Sequence, residues 1–243
     1  MKIALLGYGK MGRTIDRLAT AAGDEIVLRL GSTNAADLTA DHLRRAEVAI
    51  DFSLPATAFR HVSACLRAGV PVVCGTTAWL DRLDEAKALC AAENGAFLYA
   101  SNFSVGVNIF FALNRHLASL MNDQSAYDVQ VEEVHHTQKL DAPSGTAITL
   151  AEQLLRKLDG KQDWRNELVN DPEIVSILSR REDPAPGTHV VTYTSEVDSI
   201  EIKHTAHSRA GFASGALRAA RWLVGKRGVF GMDDVLGLRT VDA

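Results

Sequence analysis

The first thirty residues constrain this chain more than any others. Lys2 to Leu6 is an apolar run that stops at Gly7-Tyr8-Gly9-Lys10-Met11-Gly12. A helical pattern then carries Ile15, Leu18 and Ala19 on one face before Gly23, and a second apolar run, Glu25 to Leu30, ends at Gly31. Strand, glycine turn, helix, strand is the opening of a βαβ unit, and such units build a parallel sheet covered on both faces. In Gly-x-Gly-x-x-Gly the first glycine makes a tight turn and the second lets backbone approach a pyrophosphate. The third lets helix pack on strand, and the helix N-terminus faces the phosphates. The spacing alone is a weak sign that also suits a glycine-rich turn without a ligand; its flanks favour a dinucleotide. Gly7, Tyr8, Gly9, Lys10, Met11 and Gly12 are the candidate contacts.

Such a turn is commonly followed, about 20 residues on, by an acidic side chain that bonds the adenosine ribose. Here that stretch is Gly31-Ser32-Thr33-Asn34, with no carboxylate. Hydroxyl and amide groups at Ser32 and Thr33 tolerate a 2′-phosphate that a carboxylate would repel, so NADPH is allowed alongside NADH.

The alternation continues. Glu47 to Phe52, Val70 to Cys74 and Ala96 to Ala100 are predicted strands, separated by helices running from Pro55 to near Ala68 and on to near Ala92. Ligands in parallel sheets bind beyond the carboxyl ends of strands, which places Gly75-Thr76-Thr77 and Ser101-Asn102-Phe103 toward a nicotinamide and its ribose. Asp51-Phe52-Ser53 ends the neighbouring strand and is equally compatible with a helix-capping turn.

Past residue 104 the pattern changes. Asn108 to Leu120 is helical, Tyr127 to Val134 alternates like a half-buried strand, and Thr146 to Leu158 is helical. Residues 160 to 188 are polar and broken by Pro172, Pro184 and Pro186, which predicts irregular chain. His189 to Ser195 and Ser199 to Thr205 are strand-like, and Phe212 to Val224 is a helix expected to return to the first domain. The expected architecture is α/β: a Rossmann-type doubly wound parallel sheet (1–104 plus 212–243, dinucleotide binding). A second, mixed α+β domain (105–211) would serve substrate binding and oligomerisation.

The formal net charge of -4 gives no general affinity for nucleic acid or an anionic membrane, so an anionic ligand needs a local concentration of donors. No apolar stretch approaches a membrane span. The three cysteines, Cys65, Cys74 and Cys90, show neither CxxC spacing nor an even count, which points to a reducing, cytoplasmic setting.

The densest chemistry lies in Glu133-Val134-His135-His136-Thr137-Gln138-Lys139-Leu140-Asp141-Ala142-Pro143-Ser144-Gly145-Thr146-Ala147. Two histidines and a lysine supply cationic and proton-donating groups. Pro-Ser-Gly-Thr before a helical run sets free amides at a helix N-terminus, where a carboxylate is stabilised. His136, Lys139, Ser144, Gly145 and Thr146 would suit a small dicarboxylate. A solvated strand end followed by an ordinary N-cap is the plainer alternative. His135, His136, His204 and His207 could in principle gather around a metal, but without HExxH or a cysteine pair none is expected. His42, His61, His116 and His189 read as surface or packing residues. Arg209 is a candidate substrate or interface contact.

The run Glu133-x-His135-His136-x-x-Lys139-x-Asp141-x-Pro143-Ser144-Gly145-Thr146-Ala147 resembles the signature of the dihydrodipicolinate reductase family of lysine and diaminopimelate biosynthesis. The similarity extends to Gly7 through Arg13, Asp51-Phe52-Ser53, Gly75-Thr76-Thr77, Ser101 through Asn108, and Ser208-Arg209-x-x-Phe212-Ala213-x-Gly215-Ala216. The resemblance implies a two-domain homotetramer using NADH or NADPH, with His135 as proton donor and Lys139 as second acid. It implies that His136, Lys139, Gly145 and Thr146 hold substrate carboxylates, and that Gly7–Gly12, Gly75–Thr77 and Ala100–Phe103 contact the cofactor. The chain departs from the family in a trimmed region between Leu30 and Ala46, in the missing ribose carboxylate, and in Ala78 where glycine is common. Two rivals share the plan: another imine or amino-acid dehydrogenase, which would lack the Pro-Ser-Gly-Thr turn, and a non-catalytic redox sensor, which has no need of His-His-Lys.

Overall fold

The structure, a computed structural model, describes residues 1–208 and 210–238. Arg209 therefore lies outside the described residues. The chain forms two compact units, Met1–Val105 with Ala210–Ala243, and Gly106–Arg209.

The first unit begins β1 (Lys2–Leu6), α1 (Lys10–Ala21), β2 (Glu25–Leu30), a 3-10 turn (Ser32–Asp37), α2 (Ala40–Leu43) and β3 (Val48–Asp51). It continues α3 (Pro55–Arg67), β4 (Val72–Cys74), α4 (Leu83–Ala92) and β5 (Ala96–Tyr99). The second unit carries α5 (Val105–Met121), β6 (Asp128–His135), α6 (Gly145–Leu155), β7 (Asp163–Arg165), β8 (Ile174–Arg181), β9 (Thr188–Thr194) and β10 (Ser199–Thr205). The chain returns to the first unit with α7 (Ala210–Leu223), β11 (Gly228–Phe230) and α8 (Met232–Leu236).

The first sheet has the order β11-β5-β4-β3-β1-β2, every pairing parallel. The chain leaves β1 for β2 on one side and crosses to β3 on the other. The β1/β3 junction is thus the switch point at which such sheets open a ligand crevice. Both faces are apolar, as continuous rather than alternating strand sequences require. Ile3, Leu5, Ile50 and Leu98 pack against α1 and α7, while Ala4, Leu6, Val72 and Phe97 pack against α3 and α4. This is the doubly wound Rossmann-type class read from the sequence.

The second sheet is mixed, with the order β10-β9-β6-β8-β7. β6 pairs parallel with β8 and antiparallel with β9. Val129 and Val131 of β6 join Val107, Phe110 and Phe111 of α5 and Leu150 and Leu154 of α6 in one buried cluster. The expectation of irregular chain from 160 to 188 is overturned. Ile174–Arg181 is an interior strand of the second sheet, between β6 and β7, and its apolar run Ile174-Val175-Ser176-Ile177-Leu178 is diluted in sequence by the prolines and polar residues on either side.

Candidate active site

In the first unit the glycine turn shows a separate steric reason at each end. Gly7 has φ +95, and a side chain there would lie 2.1 Å from the Phe52 carbonyl oxygen. A Cβ on Gly12 would lie 2.1 Å from the Gly7 carbonyl oxygen, so α1 seats on β1 only because that atom is missing. At Gly9 no atom stands within 4 Å of the place a Cβ would take, so backbone amides at the α1 N-terminus are approachable, as phosphates require. The residues present therefore fit a dinucleotide.

Beside the turn lies a cavity of about 740 Å3 lined by Gly7, Tyr8, Gly9, Ser32, Thr33, Ser53 and Thr57, together with Arg13, Arg29, Arg60 and His61. Among the described residues its lining includes no carboxylate and three guanidinium groups. Arg13 lies over the Tyr8 ring at 5.8 Å. Tyr8 and Arg29 are braced by Asp16, which accepts from Tyr8 Oη at 2.5 Å and from Arg29 Nε at 2.6 Å. The Arg29 hydrogen bond holds the Asp16 carboxyl below the usual range, with help from Tyr8 and against a desolvation cost. The sequence reading singles out neither the cavity arginines nor His61. Thr57, Arg60 and His61 stand at i, i+3 and i+4 on α3, a spacing that marks one helix face.

Other expected cofactor residues are placed differently. Lys10 is exposed, and Met11 packs partly into the core. Thr76 is buried and its hydroxyl is spent on protein: it donates to Asp51 Oδ2 at 2.5 Å and accepts from Ser53 N at 2.8 Å. Asp51, fully buried, also meets His61 Nδ1 at 2.8 Å, so Asp51-Phe52-Ser53 is an internal tie between turns. Phe103 is buried against Phe52, ring centroids 5.6 Å apart, and Asn102 Oδ1 accepts from Ser104 N. Gly75, Thr77, Ala100 and Ser101 do not line the cavity. Gly215 of α7 explains its own place, since a Cβ would come within 1.8 Å of the Phe103 carbonyl oxygen. Ala78, where the family favours glycine, has φ +58.

In the second unit, β6 delivers Glu133 and His135 to the same buried side, as alternate residues of a strand must. The loop after β6 ends at Ser144, the N-cap of α6, whose hydroxyl accepts from Ala147 N at 3.2 Å. The Gly145 and Thr146 amides belong to the first turn, where the helix offers no acceptor, and a Cβ placed on Gly145 would meet no atom of another segment within 4 Å among the described residues. Lys139 Nζ pairs with both Asp141 oxygens at 2.8 and 2.7 Å. His136 is half-buried.

Two members of the cluster have no site role in the sequence reading, although Glu133 opens the motif itself. Glu133 is fully buried, and its oxygens accept from Ser144 N at 3.1 Å. His189, read as a packing residue, is buried beside them: its Nε2 lies 3.1 Å from Ser144 Oγ and its ring meets His135 edge-on at 5.1 Å. The register explains this, because Glu133 pairs directly with His189 across β6 and β9. Of the histidines, His135 and His189 meet ring to ring, and His204, which also lies 6.1 Å from the Phe110 ring, pairs with His189 across β9 and β10.

Burial pushes Glu133 up, yet donors from His189, Ser144 and Ser179 outweigh it and bring its pKa to about 2. His135 differs from the near-neutral value expected of a proton donor. Burial pushes it down to about 4, Glu133 opposes this, and the charges of His189, Lys139 and Arg181 add to the depression.

A doubly wound sheet with a glycine turn at its switch point, joined in one chain to a His/Lys cluster and an amide-bearing helix start, defines a dinucleotide-dependent oxidoreductase. Comparison with known proteins narrows this class. Residues 1–103 match the family model described as dihydrodipicolinate reductase, N-terminus, and residues 106–236 match its C-terminus. A 4-hydroxy-tetrahydrodipicolinate reductase of Christiangramia forsetii is 49% identical over 97% of this chain and 98% of its own. One of Chromobacterium violaceum is 38% identical over 95% and 90%. A dipicolinate-bound dihydrodipicolinate reductase from Paenisporosarcina sp. TG-14 shares the fold with a TM-score of 0.76 at 23% identity, covering 97% of this chain and 99% of that one. The chain belongs to the dihydrodipicolinate reductase family.

Proposed function

We propose that this enzyme reduces 4-hydroxy-tetrahydrodipicolinate to tetrahydrodipicolinate at the expense of NADH or NADPH, releasing water. The observation that carries the reading is the second unit's cluster. A histidine, a lysine and the amide-bearing start of α6 lie on one short segment, in a chain 49% identical to a relative of that name. When bound, a nicotinamide would supply the hydride, for ring C4 of the cyclic, unsaturated dicarboxylate formed when the hydroxyl departs as water. His136, Lys139 and the Gly145 and Thr146 amides hold the two carboxylates, the amides through the α6 dipole. His135 donates the proton that balances the hydride, with Lys139 as the further acid. Because burial keeps His135 low on its own, the substrate's negative charge helps load it: a carboxylate beside an imidazole favours the cation. Gly7 through Gly12, Ser32, Thr33, the Gly75–Thr77 turn and the Ala100–Phe103 turn serve the cofactor.

The enzyme works as a homotetramer in the cytoplasm on this reading. No helix among the described residues is long and apolar enough to cross a membrane. The test is the fall in NAD(P)H absorbance when purified protein meets substrate generated by the preceding synthase. Consumption that requires both substrate and cofactor is expected. Consumption with a keto acid and ammonia instead would make the chain an amino-acid dehydrogenase, and none with either would overturn the enzymatic reading.

A further inference from the structure

Glu133 has no part in the reaction as described, yet three strands and a helix start converge on it. Ser144 N–H donates to both its oxygens at 3.1 Å, and Arg181 of β8 reaches Oε1 at 3.4 and 3.5 Å. On the other side, His135 Nδ1 lies 3.4 Å and His189 Nε2 3.6 Å from Oε2. Arg181 also donates to the carbonyls of Lys139 at 3.2 Å and Asp141 at 2.6 Å, which fastens the loop between β6 and α6 to the same carboxylate. A buried charge persists only when donors enclose it, and here each donor belongs to a part of the candidate site. Glu133, His135 and His189 bring potential ligand atoms within 4.8 Å of one another. A cation there would nevertheless have to share Glu133 with the Arg181 guanidinium and the Ser144 amide.

We propose that Glu133 is the positioning residue of this site, which rests on the reading of His135 as the acid and the α6 start as the carboxylate cradle. One oxygen faces His135 Nδ1 and both hold the amide of the α6 N-cap, so a single carboxylate fixes proton donor and cradle in one relation. His135 Nδ1 is buried, has no hydrogen-bond partner among the described residues and lies 3.4 Å from Glu133 Oε2, so a proton held there by the carboxylate's charge leaves Nε2 as the working nitrogen. It borders Gly187, where a Cβ would stand 3.1 Å from it, so glycine leaves that flank uncrowded. His189 braces the same cap through Ser144 Oγ.

The groups facing His135 are Glu133 on its own strand, Arg181 from β8, His189 from β9, and Lys139 with its partner Asp141 from the loop. Glu133 is the carboxylate against the ring; Asp141 is engaged by Lys139. Removing the Glu133 charge leaves an imidazolium among cationic neighbours. The pH at which turnover is lost on the alkaline side must then fall, because an adjacent opposite charge raises a histidine pKa by roughly one to three units.

Two measurements test this. The first is kcat against pH for the wild type and Glu133→Gln, a variant that keeps the size and an acceptor for Ser144 N–H. The alkaline limb is expected to move down by about one pH unit or more, with kcat at pH 8 falling roughly tenfold and KM changing less. A variant with lowered thermal stability and the wild-type limb would reduce Glu133 to a structural role and overturn the proposal. The second is the 15N signature of the His135 ring in the wild type saturated with dipicolinate, and it decides the matter if the variant does not fold. A proton on Nδ1, hydrogen-bonded, is expected; an unprotonated Nδ1 overturns the proposal. A wild type that reduces no substrate at all fails the reductase reading instead, and the ring signature still reports on Glu133.

Discussion

Lys139 and His135 sit on one short loop and strand end, and in the proposed reaction their different surroundings give them different work. The Lys139 ammonium is partly exposed and pairs with an exposed Asp141, the kind of ion pair worth little on a protein surface. A substrate carboxylate can therefore take the ammonium over at small cost. His135 is buried, with its pKa depressed to about 4, so its contribution depends on charge brought next to it. Alanine variants should separate the two. Lys139→Ala is expected to raise KM and lower kcat together, roughly tenfold to a hundredfold in kcat/KM, since a charged hydrogen bond is worth about 1.5–3 kcal/mol. His135→Ala is expected to lower kcat by about a hundredfold to ten-thousandfold while KM changes little. Steady-state kinetics on both variants checks this; wild-type turnover in His135→Ala would end its assignment as the acid.

At the scale of elements, the proposed cofactor site turns on the passage from β2 into the 3-10 segment Ser32–Asp37. The cavity beside it carries Arg13, Arg29 and Arg60 with the Ser32 and Thr33 hydroxyls, and no carboxylate among the described residues. Part of that charge is already committed, since Arg29 is bound to Asp16. What remains still favours an anion over a bare ribose diol. NADPH is therefore expected to serve at least as well as NADH, and Ser32→Asp to shift preference toward NADH, mainly through lost NADPH affinity from like-charge repulsion. The ratio of kcat/KM for the two cofactors, in wild type and variant, is the measurement. A wild type that uses NADH a hundredfold better would show that another group reads the ribose.

Elements also show what can be read in the sequence. Gly7 and Gly12 are legible because a backbone that tolerates no side chain leaves glycine as its trace. The His135-to-Thr146 run is legible because its groups are neighbours in the chain. Glu133 stands in that same run, but its meeting with His189 is opaque, because it is a product of register between β6 and β9, which sequence order does not display. At Thr76 and Phe103 the sequence shows the turn but not the side chain's partner: the hydroxyl is taken by Asp51 and the ring packs on Phe52, so only the backbone of these turns is left for a cofactor.

For the whole molecule, the question is how many chains make the enzyme. In the second unit α5 and α6 bury one side of the sheet, where Val129, Val131, Val191 and Tyr193 lie. The alternate residues Gln130, Glu132 and Val134 of β6 and Val190 and Thr192 of β9 occupy the other side and are only half-buried. The edge strand β10 is mostly exposed, with Ile200 at 39%. A half-covered face and an edge with unpaired backbone groups are two different surfaces, and each can meet its own copy about a two-fold axis. One such contact gives a dimer; two distinct ones give a closed tetramer with mutually perpendicular axes. The expected solution mass is four times the chain's 26.3 kDa, read by light scattering after gel filtration. Thr192→Arg places a long charged side chain in the middle of that face and is expected to shift the population toward dimers or monomers, while the far-ultraviolet circular dichroism stays as in the wild type. A wild type that runs as a 26.3 kDa monomer at micromolar concentration would sink the assembly argument, and the half-covered face would then simply be a sheet side turned to water.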